Sequence, residues 1–296
     1  MSKEISCNLC CGNKFSKLFT LKTKSGTFIV VKCVSCGLVF QNPQPTSKEI
    51  NAMYDKDYFE GKGFDEGVDY VQGAENIKGS KHLVNSRLKV ISFFSKTSIL
   101  KKRLLLDVGS GVGDFLYSVR KNGWDVKGTE LSKFACSFSK KKFNLDVFNG
   151  TLEGAKYKSD TFDVITFSEV IEHLNNPYLT LKESHKILKK NGLIVIQTGD
   201  VDCFYSKLCK EKWPYLLYGH LFYFSKKTLS LMLKKSGFKI VKTFNGDEIS
   251  VSSYIKYYFA VSKPGFKSLI GLVKLIVMQF LRKLGFGGMT IYAIKT

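Results

Sequence analysis

From residue 103 onward, short apolar runs alternate with stretches of helical period. The run 103–109 (RLLLDVG) is apolar and ends on glycine, so it predicts a buried strand. Further strands are predicted at 125–131, 145–148, 162–168 and 193–198, and later at 238–244 and 289–295. Helices are predicted at 115–122, from a Ser132 cap to Phe143, and at 178–190, the last closing on Asn191-Gly192. Strands that alternate with helices, and are apolar throughout, predict a parallel, doubly wound sheet. The first hundred residues read differently. The stretch 27–32 (TFIVVK) is β-rich, and prolines at 43 and 45 then break regularity. Residues 47–73 hold Tyr54, Tyr58, Phe59, Phe64 and Tyr70 among glycines and acids, which reads as an irregular linker with aromatic anchors. Residues 74–97 suit a helix with Leu83, Leu88, Val90 and Ile91 on its apolar side.

Composition narrows the class. A chain of 296 residues with 44% hydrophobic positions can bury a substantial core, as one large domain or two modest ones. Its 46 Lys and Arg against 25 Asp and Glu leave +21, which favours anionic partners: nucleic acid, phosphorylated substrates or an acidic membrane. The start MSKEISCNLC has no apolar core of a secretory signal. The apolar stretch 269–284 is interrupted by Lys274, Gln279 and two more cations, short of the ~20 residues a spanning helix needs. The expectation is a cytoplasmic protein, soluble or peripheral at the inner face of the membrane.

Five of the eight cysteines lie in the first 36 residues. Cys7 and Cys10 form one C-x-x-C pair, and Cys33 and Cys36, followed by Gly37, form a second. Two such turns each aim a pair of sulfurs at one point, so four thiolates can close a tetrahedron around Zn²⁺. With no open position, such an ion is structural. Cys11 could replace Cys10, but the two-residue spacing favours Cys10. Residues 1–45 are therefore read as a zinc-binding module, 46–98 as aromatic linker and helix, and 99–296 as the main domain.

The sequence Asp107-Val108-Gly109-Ser110-Gly111-Val112-Gly113 leaves a strand and opens a helix, and Glu130 ends the next strand. Glycines there let the backbone approach a ligand, and the acid can accept hydrogen bonds from both ribose hydroxyls. The loop is neither a dinucleotide fingerprint nor a phosphate loop, so a nucleoside without a pyrophosphate fits better than NAD or ATP. In combination, LLDVGSGVGDF, GTELS, DTFDVITFSEVIEHLNNP and ILKKNGLIVIQT resemble the successive motifs of class I S-adenosylmethionine-dependent methyltransferases. The front end, with KCVSCGLVFQNPQP and the Tyr/Phe-rich linker, resembles zinc-bearing members that act on sugars or glycan precursors. The resemblance implies a Rossmann-like sheet of seven strands, the last antiparallel to the rest. It implies that Asp107, Gly109, Ser110, Gly111 and Gly113 wrap the methionine part of the cofactor and that Glu130 holds the ribose. Leu131 and Leu152 would flank the adenine, with Phe167 and Ser168 near the sulfonium.

Glu169, Glu172 and His173 follow the fourth strand of that domain, at the edge where an open α/β sheet places its site. One reading makes His173 or His220 a general base acting on a substrate hydroxyl, with Glu172 beside it. A second makes Glu169, Glu172 and His173 ligands of a divalent ion with His220 as fourth, since E-x-x-E-H resembles metal-dependent methyltransferases of ubiquinone synthesis and of small-RNA ends. A third gives the motif only a structural role. The aromatic loop Trp213, Tyr215, Tyr218 before His220 reads as substrate lid or core packing. His82 and His185 read as surface residues.

After Glu248 there is no acid, and seven cations follow. Within 262–286, Lys267, Lys274, Arg282 and Lys283 accompany Leu269, Leu272, Val273, Ile276, Phe280 and Leu284. This is either a basic amphipathic element for an anionic membrane or an insertion packed on the domain or a second subunit. The function expected is methyl transfer to a small or lipid-linked acceptor, a sugar or glycan intermediate. The alternatives are a metal-assisted RNA or quinone-type methyltransferase and a non-catalytic zinc-containing binding module. No nucleic-acid module is apparent.

Overall fold

The computed structural model describes residues 3–63, 68–75, 77–95, 103–247, 249, 252, 253, 255, 273, 276, 277, 280, 281 and 287–296. Phe64 and the cations Lys267, Lys274, Arg282 and Lys283 lie outside them. The chain opens with a hairpin, β1 (Phe15–Thr23) and β2 (Gly26–Cys33), then the short β3 (Val39–Gln41). The linker expected to be irregular is partly helical: α1 (Ser47–Met53), α2 (Lys56–Phe59), α3 (Tyr70–Glu75) and α4 (Ile77–Phe94). Local capping explains this. Thr46 and Glu49 form a reciprocal capping box on α1, and Asp55 accepts from the Tyr58 N–H to start α2.

The alternating region gives β4 (Leu104–Val108), α5 (Asp114–Lys121), β5 (Asp125–Glu130), α6 (Lys133–Phe143), β6 (Val147–Asn149), β7 (Phe162–Ser168), α7 (Pro177–Ile187) and β8 (Leu188–Gly199). Ser132 caps α6 as expected. The helix predicted to reach residue 190 stops at Ile187, because β8 begins at Leu188 and Asn191 takes a positive φ of 61° inside it. Then come α8 (Phe204–Cys209), β9 (Phe222–Tyr223), α9 (Lys226–Lys235), β10 (Phe238–Asn245) and β11 (Gly288–Lys295).

Seven strands form one sheet in the order β10-β11-β8-β7-β4-β5-β6. All run parallel except β11, which is antiparallel to both neighbours. One face packs Leu105, Val164 and Val195 against Leu88 and Ile91 of α4 and Leu116 and Val119 of α5. The other packs Leu106, Phe167, Ile194 and Ile196 against Leu181 of α7 and Leu229, Met232 and Leu233 of α9.

That second core does not stop at residue 45. It runs on through Cys7, Leu9, Val31, Leu38 and Phe40 of the N-terminal segment. The N-terminal strands form a sheet β1-β2-β3-β9 whose last strand is supplied from beyond β8, with Phe40 opposite Phe222. The Cys-bearing segment is thus welded to the main domain, and the boundary expected at 45 is no break in packing. No helix among the described residues is long and apolar enough to cross a membrane.

Candidate active site

The loop from β4 to α5 is held by its own backbone. The N–H groups of Gly109 and Ser110 both donate to the Thr129 carbonyl, at 2.8 and 3.0 Å. All three glycines have positive φ, but a side chain would meet different things at each. At Gly109 a Cβ would lie 2.5 Å from Val170, and at Gly113 2.7 Å from Leu145 and 2.8 Å from Ser139. Those two glycines allow close packing. At Gly111 the nearest atom would be a Phe59 ring carbon at 3.8 Å, so only this glycine opens onto free space. Beside it, the Ser110 hydroxyl is buried with no hydrogen-bond partner. Glu130 accepts from Gly111 N–H at 2.9 Å and Ser132 N–H at 2.8 Å. Burial raises its pKa, and these backbone N–H groups oppose the rise.

An open cradle over a glycine and an acid at the strand end fit the nucleoside end of S-adenosylmethionine, whereas the Ser110 side chain packs inward on Gly128 beside Leu116. Gly111 and Glu130 would hold it. The sulfonium makes the methyl group electrophilic, which leaves the protein alignment and proton removal. Leu131 is exposed near the cradle. Leu152 and Phe167, expected at adenine and sulfonium, are buried in the core. Asp107 accepts from the Thr166 hydroxyl at 2.6 Å and is pushed up to about 7 by burial. Sequence reasoning passed over Arg87. Its guanidinium donates to Ser168 Oγ at 2.9 Å and to the Gln197 side chain, at the ends of two central strands. It shares the buried side of α4 with Leu88 and Ile91, and a cation in that register was the available signal.

Through the Gly109–Val170 contact the cradle adjoins the turn that follows β7. Glu169 starts this turn at φ 53°, a backbone strain of the kind held at functional sites. A 3-10 turn, Ile171–His173, follows it. Glu172 is fully buried, and its carboxylate accepts from Thr198 Oγ1 at 2.9 Å and from the Tyr215 hydroxyl. The same hydroxyl lies 2.7 Å from Glu169 Oε2 and accepts from Gly199 N–H at 2.8 Å. The phenol proton can go to only one of the two carboxylates at a time. Crowding of its carboxyl and the adjacent Glu172 charge push Glu169 up to about 8, although the residue as a whole is exposed and water moderates the rise. Burial raises Glu172 as well.

The two histidines of the site lie with ring centroids 4.5 Å apart. His220 Nδ1 is 2.8 Å from the Tyr215 carbonyl, and His173 Nδ1 is 3.0 Å from the Gly219 carbonyl. Carbonyls only accept, so the neutral His220 carries its proton on Nδ1 and keeps the lone pair of Nε2, while His173 Nδ1 faces both the Gly219 carbonyl and the Tyr54 hydroxyl. Burial and the neighbouring His173 hold the His220 pKa well below the usual value, so it is neutral. Tyr54 from α1's C-terminal cap sits 2.8 Å from His173 Nδ1, a partner no motif announced. Glu172, His173 and His220 offer ligand atoms within 4.8 Å of one another, whereas Glu169 is not part of that set. The expected lid is divided: Trp213 is buried against Phe28 and Val30, while Tyr215 enters the cluster. His82 is exposed, but His185 is half-buried on Phe238, away from the site.

The N-terminal cysteines also converge. Cys7 and Cys36 sulfurs are 3.4 Å apart, Cys10 and Cys33 sulfurs 3.5 Å, and all four lie within 4.8 Å. A tetrahedral Zn–S bond of ~2.3 Å would put sulfurs ~3.8 Å apart, so the quartet fits the ion. Burial pushes Cys7 up and Cys36 up to about 11, so four thiolates need a cation to coexist. Cys11 is exposed, with φ 60°, and stands outside the quartet.

Residues 82–243, more than half of the chain, match the family model of the methyltransferase domain, and the chain belongs to that family. Its domain is that of a class I S-adenosylmethionine-dependent methyltransferase, as the sheet order also has it. An uncharacterized protein of Methanocaldococcus jannaschii is 30% identical over 46% of this chain and 65% of its own. The ubiquinone biosynthesis O-methyltransferase of Pelagibacter ubique is 34% identical over 38% of this chain and 48% of its own. The chain thus matches about half to two thirds of these relatives' length. Among solved structures, a SAM-dependent methyltransferase from Archaeoglobus fulgidus superposes with TM-score 0.51 at 24% identity, over 76% of this chain and 99% of that one. Geranyl diphosphate C-methyltransferase from Streptomyces coelicolor gives 0.50 at 11%, over 72% and 78%. Both likenesses are of fold.

Proposed function

We propose that the protein transfers a methyl group from S-adenosylmethionine to a hydroxyl of a small acceptor, a sugar or glycan intermediate, free or lipid-linked. The observation that carries this reading is the His173–His220 pair beside the buried Glu172 carboxylate and Tyr215, next to the glycine cradle. A hydroxyl must lose its proton as it attacks the methyl group, and in this reading His173 accepts it. His220 and Glu172 orient the site. The aromatic rings of Tyr54, Tyr58 and Tyr70 supply an apolar wall with polar rims, suited to a sugar ring face. The sulfur quartet holds a structural Zn²⁺ in this reading.

A quinone-type phenol is the second reading, favoured by the ubiquinone O-methyltransferases among the relatives. In that case a divalent ion at Glu172, His173 and His220 would lower the phenol's pKa. The test is transfer from methyl-labelled S-adenosylmethionine to two acceptor panels, nucleotide-linked sugars and catechols, with and without added Mg²⁺. Labelling of sugars without added Mg²⁺ supports the first reading. Labelling of catechols alone, dependent on the ion, overturns it.

A further inference from the structure

The connection from β8 to β9 does two things at once. Its inner end supplies Tyr215 and His220 to the site. Its outer part is α8, where Phe204 is 57% exposed, Leu208 66% and Tyr205 37%, one helical turn of large apolar side chains facing water. Three exposed lysines, Lys207, Lys210 and Lys212, stand among and just beyond them, with two exposed acids, Asp202 and Glu211. A second apolar stripe lies farther along the chain: Val273, Ile276, Val277 and Phe280 are helical, spaced three and four apart, and 37–61% exposed. That spacing is the repeat of one helix face. Exposed apolar clusters of this kind mark interaction surfaces.

We propose that α8 docks the protein on an anionic lipid surface, with the 273–280 stripe as a second point of attachment. Charge selects the occupant. The lysines outnumber the acids at this rim, and on a chain of +21 that excess complements a bilayer rich in acidic headgroups. The consequence is positional. Because α8 and the Tyr215–His220 segment belong to one connection at the carboxyl edge of the parallel strands, a docked enzyme meets acceptors at the headgroup layer. This rests on the hydroxyl-acceptor reading only for its catalytic meaning. The docking stands or falls separately.

The test is co-sedimentation of the full chain with vesicles of equal parts phosphatidylglycerol and phosphatidylcholine, and with phosphatidylcholine alone, at low and high salt. Wild type is expected to bind the anionic vesicles at low salt. Phe204→Ser with Leu208→Ser should weaken that binding by about 10-fold or more, given the apolar area lost from the interface. Lys207→Gln with Lys210→Gln and Lys212→Gln should weaken it on anionic vesicles only. Val277→Ser with Phe280→Ser is the independent variant for the second stripe and should also weaken binding. These substitutions lie at exposed positions, and transfer to a soluble acceptor should persist in each. Absence of wild-type binding, or equal binding by the α8 variants, overturns the proposal. So does sedimentation as a dimer that the Phe204/Leu208 variant dissolves, since the face would then be a subunit contact. If no acceptor is methylated while the vesicle results hold, the function reading fails and the docking does not.

Discussion

The two halves of the cleft are built in opposite ways. The cofactor half comes from residues close in sequence. Gly109 to Gly113 and Glu130 belong to one strand–loop–helix–strand unit, and the hydrogen bonds that shape it stay within it. The half that carries the histidines is assembled from four distant places: Tyr54, the Glu169–His173 turn, Thr198, and Tyr215 with His220. The N-terminal segment is part of that assembly. The Leu221 carbonyl accepts from Gln41 N–H at 2.8 Å and from Gln44 Nε2 at 3.4 Å, while Leu221 N–H donates to the Glu172 carbonyl at 2.8 Å. The peptide next to His220 is therefore clamped between the Cys-bearing sheet and the acidic turn. Local units tolerate loss of remote parts, whereas assembled ones do not.

The largest expected effect follows from the clamp. Cys33→Ser should lower stability by several kcal/mol, as loss of a thiolate-bound structural ion does. It should also raise amide exchange around Leu221 and Glu172, while leaving the amides of Leu105 and Leu106 protected until global unfolding. Unchanged exchange at Leu221 would show that the two sheets are only neighbours. Next, Gly111→Val should abolish cofactor binding by calorimetry. Gly113→Ala should instead destabilise the fold by ~1–3 kcal/mol through overpacking against Leu145 and Ser139. The reverse pattern would move the ligand away from Gly111.

Tyr215→Phe tests the assembled half alone. It leaves Glu169 and Glu172 without their shared partner and should cut kcat by ~10²-fold or more, with cofactor affinity unchanged. Equal losses in both would mean the cluster supports the cradle.

A smaller effect concerns pH. The Asp107 carboxyl is held up at about 7, above its unfolded value. Its contribution to stability is then complete below the unfolded pKa and is lost as pH rises through about 7. Thermal melts of cofactor-free protein between pH 4 and 8 should show that decline, amounting to a few kcal/mol at ~1.4 kcal/mol per unit. Asp107→Asn should flatten it. The smallest effect is Cys11→Ser, which should leave metal content at one ion per chain, since Cys11 is exposed and outside the quartet.

The same contrast governs what the sequence could disclose. Strands β4, β7 and β8 were legible because each carries a compact apolar run, and the glycine loop with its acid because spacing along the chain sets spacing in the cradle. The E-x-x-E-H turn was legible as a cluster, but its partners were not. Nothing near Tyr54 announces a histidine 119 positions later. The hairpin strand β1 escaped notice because its residues are mostly exposed, leaving little apolar pattern. Strand β9 escaped because two residues cannot show a period. The linker looked irregular because its short helices rest on single caps and aromatic contacts.

The pairing of Phe40 with Phe222 also sets an order of events during synthesis. The cysteine turns and the first three strands leave the ribosome long before the strand that completes their sheet. About 180 residues separate the two, and at ~5–20 residues per second that is roughly 10–40 s. Through that interval β3 has an open edge, and the cysteine turns stand without the domain they brace. The last piece of the brace arrives with His220 itself, so the sheet closes in the same step that seats the histidine.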